Sequence, residues 1–148
     1  VLAAQIAAIN GVVPGANAEE VHLKALKVLL EGLVDLRLLE GSVDSLIEEE
    51  SYKHLFMHRT GHWLGLDVHD VGAYRLGEYE VELQPGMVLT VEPGIYVSDR
   101  LPVPVGQPQI KEHWKGIGIR IEDDVLVRGE TPEVLTSYAL KSISAMEN

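Results

Sequence analysis

The stretch His58-Arg-Thr-Gly-His-Trp-Leu-Gly-Leu-Asp-Val-His-Asp70 holds three of the chain's six histidines. Two carboxylates embedded in apolar runs follow it, Glu92 and Glu122. Neutral imidazole together with carboxylate is the ligand set of hydrolytic metal sites. These residue types, in this order, indicate a candidate cation site on a fold that brings distant parts of the chain together.

The composition is typical of one globular domain. At 148 residues the chain can bury a core, and 46% apolar with 24% charged residues excludes a disordered chain. The net charge of −11 argues against nucleic acid and anionic membrane surfaces, and it suits a cationic group such as a peptide amino terminus. Without cysteine, any metal must be held by His, Asp or Glu. No apolar run is long enough to span a membrane, and we expect a cytoplasmic protein.

Helical signals dominate the first fifty residues. Residues 1–10 are typical of the end of a helix, so we expect the chain to be part of a longer protein. Asn17 is a predicted N-cap, and apolar spacing predicts an amphipathic helix from Val21 to about Leu38. Ser42 can cap a third, shorter helix.

Strand and turn signals follow Lys53. Short apolar runs at 55–58 and 64–68 are separated by glycine, and strands are predicted at 87–92, 95–97 and 118–127. The proline-rich segment 98–115 is predicted to be an irregular loop, and 132–136 a short extended piece. Helices first and strands afterwards predict an α+β fold, with helices covering one face of an antiparallel sheet.

The two glutamates of the predicted strands admit two interpretations. A buried glutamate needs a cation or hydrogen bonds to compensate it, so Glu92 and Glu122 could converge on one metal ion. Alternatively, Glu122 pairs with Arg120 or a lysine, and Glu92 caps a turn before Pro93. The alternation of the last strand separates two sets of side chains: Arg120, Glu122 and Asp124 on one face, and Ile119, Ile121 and Asp123 on the other.

The histidines also admit two interpretations. His58 and His62 have the spacing of a helical zinc motif, but that motif needs glutamate at position 59, where this chain has Arg59. A lone histidine is more often a hydrogen-bonded core or surface residue than a ligand. Three together, with His69, favour a functional site. The remaining histidines lack that context and are expected to be structural or exposed: His22, His54 and His113.

Three segments carry a family resemblance. They are 56–70, which includes the histidine stretch, Leu83-Gln-Pro-Gly-Met-Val-Leu-Thr-Val-Glu-Pro-Gly-Ile-Tyr96, and Gly116-Ile-Gly-Ile-Arg-Ile-Glu-Asp-Asp124. In this order and spacing they closely resemble the carboxy-terminal part of bacterial Xaa-Pro aminopeptidase (aminopeptidase P), a relative of prolidase and methionine aminopeptidase. The resemblance implies the pita-bread fold, a dinuclear metal centre that usually holds manganese, and peptide substrates with proline at the second position.

The resemblance also implies roles for individual residues. His62 and Glu92 look like metal ligands, and Glu122 looks like a glutamate that bridges both metals. Catalytic roles beside the metals, in substrate contact, stabilisation of the tetrahedral intermediate and orientation of the cluster, are implied for His58, His69 and Arg120.

The chain departs from the family in one respect. The family has two further aspartate ligands, upstream of the first helix, whereas the first aspartate here is Asp35, inside a predicted helix. We therefore expect residues 1–148 to be the carboxy-terminal portion of such a catalytic domain, with weak or no activity in isolation. A second hypothesis is a catalytically incomplete half that forms homo-oligomers or binds a missing amino-terminal half. A third is a plain α+β domain without metal.

Overall fold

The structure, a computed structural model, describes residues 1–100 and 102–147. Helices occupy the first third, as predicted: α1 spans Leu2–Ile9, α2 spans Ala18–Asp35 and α3 spans Val43–Glu48. A short α4 spans Ile143–Met146. Within the described residues, none of the helices is long and apolar enough to cross a lipid bilayer.

The predicted helix caps are confirmed, but one helix end is not. The side chains of Asn17 and Ser42 each accept a hydrogen bond from a backbone N–H three residues on, at 2.9 and 3.1 Å. Each bond satisfies a donor that the first helical turn leaves unpaired. The end of α2 was predicted near Leu38 but lies at Asp35. The reason is Arg37, whose left-handed φ of 57° cannot continue a helix.

Short antiparallel strands make up most of the regular structure that follows. They form three small sheets, with orders β1-β2, β3-β6-β7 and β4-β5. The α+β class is therefore confirmed. The strand bounds are β1 Arg75–Leu76, β2 Tyr79–Glu80, β3 Val88–Val91, β4 Gly94–Tyr96, β5 Gly118–Arg120, β6 Asp123–Leu126 and β7 Glu133–Val134.

Two of these sheets are halves of one bent ribbon. β3 pairs with β6, and β4 pairs with β5, all antiparallel. The register matches Val91 with Asp123 at the end of one half and Gly94 with Arg120 at the start of the other. Both halves keep the same register, so the chain passes from one to the other without a slip. The predicted strand 118–127 is thus not continuous but is divided into β5 and β6.

The gap in the ribbon contains both candidate glutamate ligands. Glu92 and Pro93 separate β3 from β4, while Ile121 and Glu122 separate β5 from β6. Proline has no N–H to donate to the ladder, which favours an interruption here. The common register sets Glu92 opposite Glu122 across this gap. Residues opposite each other in an antiparallel pair carry their side chains on the same face, so the two carboxylates are directed toward the same place.

The apolar runs at 55–58 and 64–68 are not strands. Leu55 and Phe56 are buried in the core, and the run at 64–68 turns outward, so that Leu66 is fully exposed. Backbone hydrogen bonds close this loop on itself: the Gly65 N–H donates to the carbonyl of Asp67 and the Asp70 N–H to that of Trp63, both at 3.1 Å. Apolar character in this run therefore does not reflect burial.

The remaining predictions for loops agree with the structure. The segment 98–115 is irregular apart from a 3₁₀ turn at Glu112–Trp114, and Leu101 within it lies outside the described residues. β7 falls within the extended piece predicted at 132–136.

The helices cover one side of the strands, and the core lies between them. α1 packs on α2 and also reaches β3. Burial of the apolar side chains between helices and strands, each worth about 1.5–3 kcal/mol, holds the ribbon against the helices. The largest fully buried side chains include Phe56, Leu26, Leu30, Leu33, Leu55, Leu83, Val91 and Val125.

A buried ionic cluster fixes the start of β6. Asp123 is 1% exposed, and its two oxygens lie 2.6 and 2.8 Å from the Lys141 ammonium. Gln5 of α1 and Thr136 also donate hydrogen bonds to this carboxylate, at 2.6 and 2.7 Å. Compensation of this kind is what a buried charge requires. The ionic cluster thus anchors Asp123, the residue next to Glu122.

Candidate metal centre and cleft

The structure brings the three predicted ligands together. One ligand atom each from His62, Glu92 and Glu122 lies within 4.8 Å of the others. The two glutamates come from the gap in the ribbon. His62 comes from the loop before Trp63, which forms a β-bridge with Leu89 of β3. The three residues are distant in sequence, and the strand pairing together with the docking of the His62 loop on β3 makes them neighbours.

The ring of His62 presents an unprotonated nitrogen to Glu92. Its Nδ1 lies 3.0 Å from the carbonyl oxygen of Trp63, so this nitrogen carries the proton and Nε2 has the lone pair in the neutral ring. Nε2 lies 3.3 Å from Oε1 of Glu92. Two ligands that are each about 2.1 Å from one cation are separated by about 3.0–3.4 Å. The observed spacing lies within the range for two ligands of one cation.

Thr90 ties two of these residues together. Its hydroxyl accepts a hydrogen bond from the backbone N–H of His62 and donates one to Oε1 of Glu92, both at 3.0 Å. The Glu92 backbone N–H donates to the carbonyl of Thr60 at 2.6 Å. Glu92 is 8% exposed, so its carboxylate is held rigidly within the protein. Outer contacts of this kind orient ligands in metal sites.

The two glutamates disfavour each other without a cation. Partial burial, followed by the nearby negative charge of Glu92, raises the pKa of Glu122 above its ordinary value. Arg120 offers partial compensation because its Nη1 lies 3.3 Å from Oε2 of Glu92. The alternative interpretation pairs Arg120 with Glu122. In the structure Arg120 forms its ion pair with Glu92 instead. The donor set of one imidazole and two carboxylates suits a divalent cation such as Mn²⁺ or Zn²⁺.

A chain of hydrogen bonds joins His58 to the same carboxylate. His58 Nδ1 donates to the carbonyl of Arg59 at 2.7 Å, so its Nε2 accepts from the Tyr96 hydroxyl at 2.8 Å. That hydroxyl accepts from Arg120 Nε at 2.6 Å, and Arg120 contacts Glu92. Sequence analysis missed Tyr96. Its position in the sequence could have indicated this role. Tyr96 lies in the predicted strand 95–97, four residues after Glu92, where a tyrosine can direct its hydroxyl toward a site.

His69 lies at the exposed side of the centre. Its ring centroid is 4.3 Å from that of His62, and its side chain is exposed. It is therefore close to the ligands without being enclosed by the core. The structure thus places all six predicted site residues in one region. Glu122 enters this region from the gap between β5 and β6.

A cleft of about 670 Å³ leads to this centre. Arg59 pairs with Glu19 across it, and Arg75 pairs with Glu80 at 2.9 Å. His22, predicted to be structural or exposed, is buried and hydrogen-bonded to Thr60, and it also lines the cleft. The residues lining the cleft also include His58, His62, His69, Tyr74, Glu92 and Arg120.

The other two histidines fall outside the cleft. His54 is half-buried, with Nδ1 2.8 Å from the carbonyl of Ser51, and His113 is exposed in the 3₁₀ turn. Both agree with the predicted structural or exposed roles.

Comparison with known protein families identifies a match over most of the chain. Residues 1–129 match the model of metallopeptidase family M24. The Xaa-Pro aminopeptidase of Haemophilus influenzae is 45% identical over 148 residues, and that of Escherichia coli is 43% identical over 134 residues. The human Xaa-Pro dipeptidase is 35% identical over 158 residues. This chain spans about a third of the length of each: 33%, 29% and 32%.

Solved structures show the same fold. The aminopeptidase PepP of Pseudomonas aeruginosa superposes with a TM-score of 0.91 at 48% identity, covering 99% of this chain and 32% of that one. Zinc-substituted Escherichia coli aminopeptidase P in complex with product gives a TM-score of 0.86 at 41% identity, with coverages of 99% and 32%. The architecture is the expected one, part of the pita-bread fold with helices on one face of a curved antiparallel sheet.

Proposed function

Because the chain belongs to metallopeptidase family M24, we propose that residues 1–148 form the carboxy-terminal portion of an Xaa-Pro aminopeptidase catalytic domain. The reaction is hydrolysis of the peptide bond between an amino-terminal residue and proline. The observation that carries this proposal is the convergence of His62, Glu92 and Glu122 within 4.8 Å at the end of a cleft. The relatives' names, Xaa-Pro aminopeptidase and Xaa-Pro dipeptidase, support the substrate class.

The residues present fit a divalent metal, with Mn²⁺ as the proposed ion. His62, Glu92 and Glu122 would hold it. Bound cations of this type supply Lewis acidity toward a carbonyl and lower the pKa of water so that it becomes a nucleophile at neutral pH.

The protein's own groups would orient the substrate and move protons. Glu92, positioned by Thr90 and Arg120, is the proposed acceptor for the proton of the attacking water. His69, exposed beside His62, is the proposed donor to the developing oxyanion. His58 accepts from Tyr96 and therefore offers substrate the face of a neutral ring.

A metal-binding measurement tests the site in this chain. Isothermal titration with MnCl₂ should detect a cation site in the wild type that Glu122→Gln and His62→Gln weaken at least tenfold. Glu112→Gln changes an exposed carboxylate away from the cleft and should leave the affinity unchanged. Equal affinity in all four proteins would contradict the proposed ligands.

A chimera tests the reaction. We expect the 148-residue chain alone to hydrolyse Ala-Pro-Ala weakly or not at all with added Mn²⁺, because it supplies three of the five ligands that the family resemblance implies. The same chain substituted for the matching segment of the Escherichia coli relative should restore hydrolysis, and Glu122→Gln should abolish it. A folded, metal-binding chimera without hydrolysis would contradict the proposed function, and rapid turnover by the chain alone would contradict the ligand count.

A second proposed function is self-association or binding of an amino-terminal half. A groove of about 690 Å³ lies between the start of α1, β5 and α4. It is lined by apolar side chains that are largely exposed, including Ile119, Leu140, Ile143 and Met146. Exposed apolar patches of this kind favour association. Light scattering should detect a dimer or larger assembly, and a monomer at working concentration would count against it.

A cytoplasmic location also remains a proposal.

A further inference from the structure

His22 of α2 is a buried histidine with no part in the proposed mechanism. It is 5% exposed, and its Nδ1 lies 2.8 Å from the hydroxyl of Thr60 and 3.2 Å from the backbone nitrogen of the same residue. A backbone N–H can only donate, so Nδ1 holds the lone pair and accepts both hydrogen bonds. Burial, followed by the charge of Arg59, lowers the pKa of His22 to about 4, so the ring keeps this lone pair at neutral pH.

Thr60, the partner of His22, begins a short segment that carries a candidate ligand. Residues 60–62, here called the ligand segment, pair with β3 along the edge opposite to β6. The N–H of Thr90 donates to the carbonyl of His62 at 2.9 Å. The N–H of Glu92 donates to the carbonyl of Thr60 at 2.6 Å. Thr60 therefore fixes the backbone of Glu92 and lies two residues before His62.

The fit between the ligand segment and β3 leaves little room for a shift. A Cβ at Gly61 would lie 1.9 Å from the carbonyl oxygen of Thr90, so the two backbones approach to a distance that only glycine allows. Across this contact, Nε2 of His62 lies 3.3 Å from Oε1 of Glu92, which is the spacing of two ligands on one cation. A displacement of Thr60 would therefore move the two ligands relative to each other.

One face of α2 contacts the chain at the start of the ligand segment. Glu19 pairs with Arg59, and this ion pair is half-exposed and therefore screened by water. His22, three residues later on the same face, accepts from Thr60. These hydrogen bonds are buried, since Thr60 is 2% exposed, and a buried donor without a partner is costly. The position of Thr60 therefore depends more on His22 than on the exposed ion pair.

We propose that His22 is a positioning residue for the candidate metal centre: the lone pair on its Nδ1 holds Thr60, and through Thr60 it sets the spacing between His62 and Glu92. This proposal rests on the metal site of the proposed function and adds a residue from the helical layer to it. His22 binds no cation itself. Its contribution to metal affinity is that of an outer contact which orients the ligands, and the loss of such a contact weakens binding about tenfold.

Amide hydrogen exchange of the metal-free chain tests the link to β3. The N–H groups of Thr90 and Glu92 point to the ligand segment. Those of Leu89 and Val91 alternate with them and point to β6. In His22→Leu, exchange should accelerate about tenfold more at Thr90 and Glu92 than at the two other amides. Equal acceleration at all four amides would show that His22 only stabilises the fold, and it would overturn the proposal.

Isothermal titration with MnCl₂ measures the effect on the metal centre. His22→Leu should weaken binding about tenfold. His22→Asn, whose side-chain oxygen can take the place of Nδ1 as an acceptor, should stay within about threefold of the wild type and restore slow exchange at Thr90 and Glu92. His54→Leu makes the same substitution at a histidine outside the cleft and should leave the affinity unchanged. If His22→Leu does not fold, Thr60→Val replaces it, with the same expected direction in both measurements.

The outcomes separate this proposal from the proposed function. A wild type that binds Mn²⁺ no more tightly than His22→Leu would overturn the role of His22 and leave the metal centre intact. An Nδ1–H tautomer of His22 in long-range ¹H–¹⁵N spectra of the wild type would do the same without any variant. If the wild type binds no Mn²⁺, the proposed metal centre fails in this chain, and the role of His22 fails with it.

Discussion

Replacing Glu122 with glutamine should stabilise the chain without metal and destabilise it with metal. The carboxylates of Glu92 and Glu122 face each other across the gap in the ribbon, with ligand atoms within 4.8 Å. Two unit charges at that distance near water repel by about 1 kcal/mol, and like charges opposite each other on paired strands are destabilising. Arg120 offsets part of this repulsion from the Glu92 side. We therefore expect Glu122→Gln to gain about 0.5–1 kcal/mol in metal-free buffer.

Added cation reverses the order because it binds only the folded wild-type site well. At a free concentration about 100 times its Kd, a ligand stabilises the folded state by about 2.7 kcal/mol. If the loss of one carboxylate ligand raises Kd about 100-fold, the variant gains only about 0.4 kcal/mol at the same concentration. With metal present, Glu122→Gln is then less stable than the wild type by about 1.5 kcal/mol.

Thermal unfolding of both proteins in EDTA and in MnCl₂ measures this reversal. For a domain of this size, 1 kcal/mol corresponds to about 3 °C in Tm, so the two curves should exchange order by several degrees. Glu112→Gln serves as the matched control because Glu112 is exposed and pairs only with Lys115 among the ion pairs described, so its Tm should follow the wild type. Equal destabilisation of Glu122→Gln in both buffers would refute the reasoning, because it would mean that Glu122 stabilises the fold without a cation.

Three further changes test burial, charge and capping. The pKa of His22 is about 4 in the folded state and 6.5 when unfolded, so the unfolded state binds more protons between these values. Urea denaturation should therefore show the wild type losing about 2 kcal/mol more than His22→Gln from pH 7 to pH 5, and equal losses would exclude burial as the cause. Lys141→Met leaves the buried carboxylate of Asp123 without its cation and should cost about 2–3 kcal/mol, whereas Lys115→Met at an exposed pair should cost under about 0.5 kcal/mol; similar costs would show that burial is unimportant. Asn17→Ala removes the N-cap of α2 and should lower the free energy of unfolding by about 1 kcal/mol, and no change would mean that water replaces the cap.

Features that depend on near neighbours in sequence were predicted correctly. The caps at Asn17 and Ser42, the presence of the first three helices and a strand within 87–92 follow from turn chemistry and periodicity, which act over a few residues. The apolar run 64–68 forms an exposed loop, which backbone hydrogen bonds from Gly65 to Asp67 and from Asp70 to Trp63 close on itself. Apolar character along the sequence does not predict those hydrogen bonds.

The candidate ligands are residue types that chemistry makes conspicuous, so the sequence alone identifies the histidine stretch and the glutamates as candidates. Which of them meet was a different question. Glu122 and Glu92 face each other only because the ribbon keeps its register across a proline gap. The role of Tyr96 depends on where its strand places a hydroxyl relative to His58 and Arg120.

Sequence alone determined the fold class, the helix starts and the residue types able to hold a cation, because each depends on local chemistry or on a motif that stays together along the chain. Only the tertiary structure decided how His22 lines the cleft while bonded to Thr60 and why Asp123 can be buried. Those outcomes depend on partners far along the chain, such as Thr60 for His22, 38 residues away, and Gln5 for Asp123, 118 residues away. Hydrogen bonds and desolvation act over a few ångströms, and folding alone brings those partners within that range.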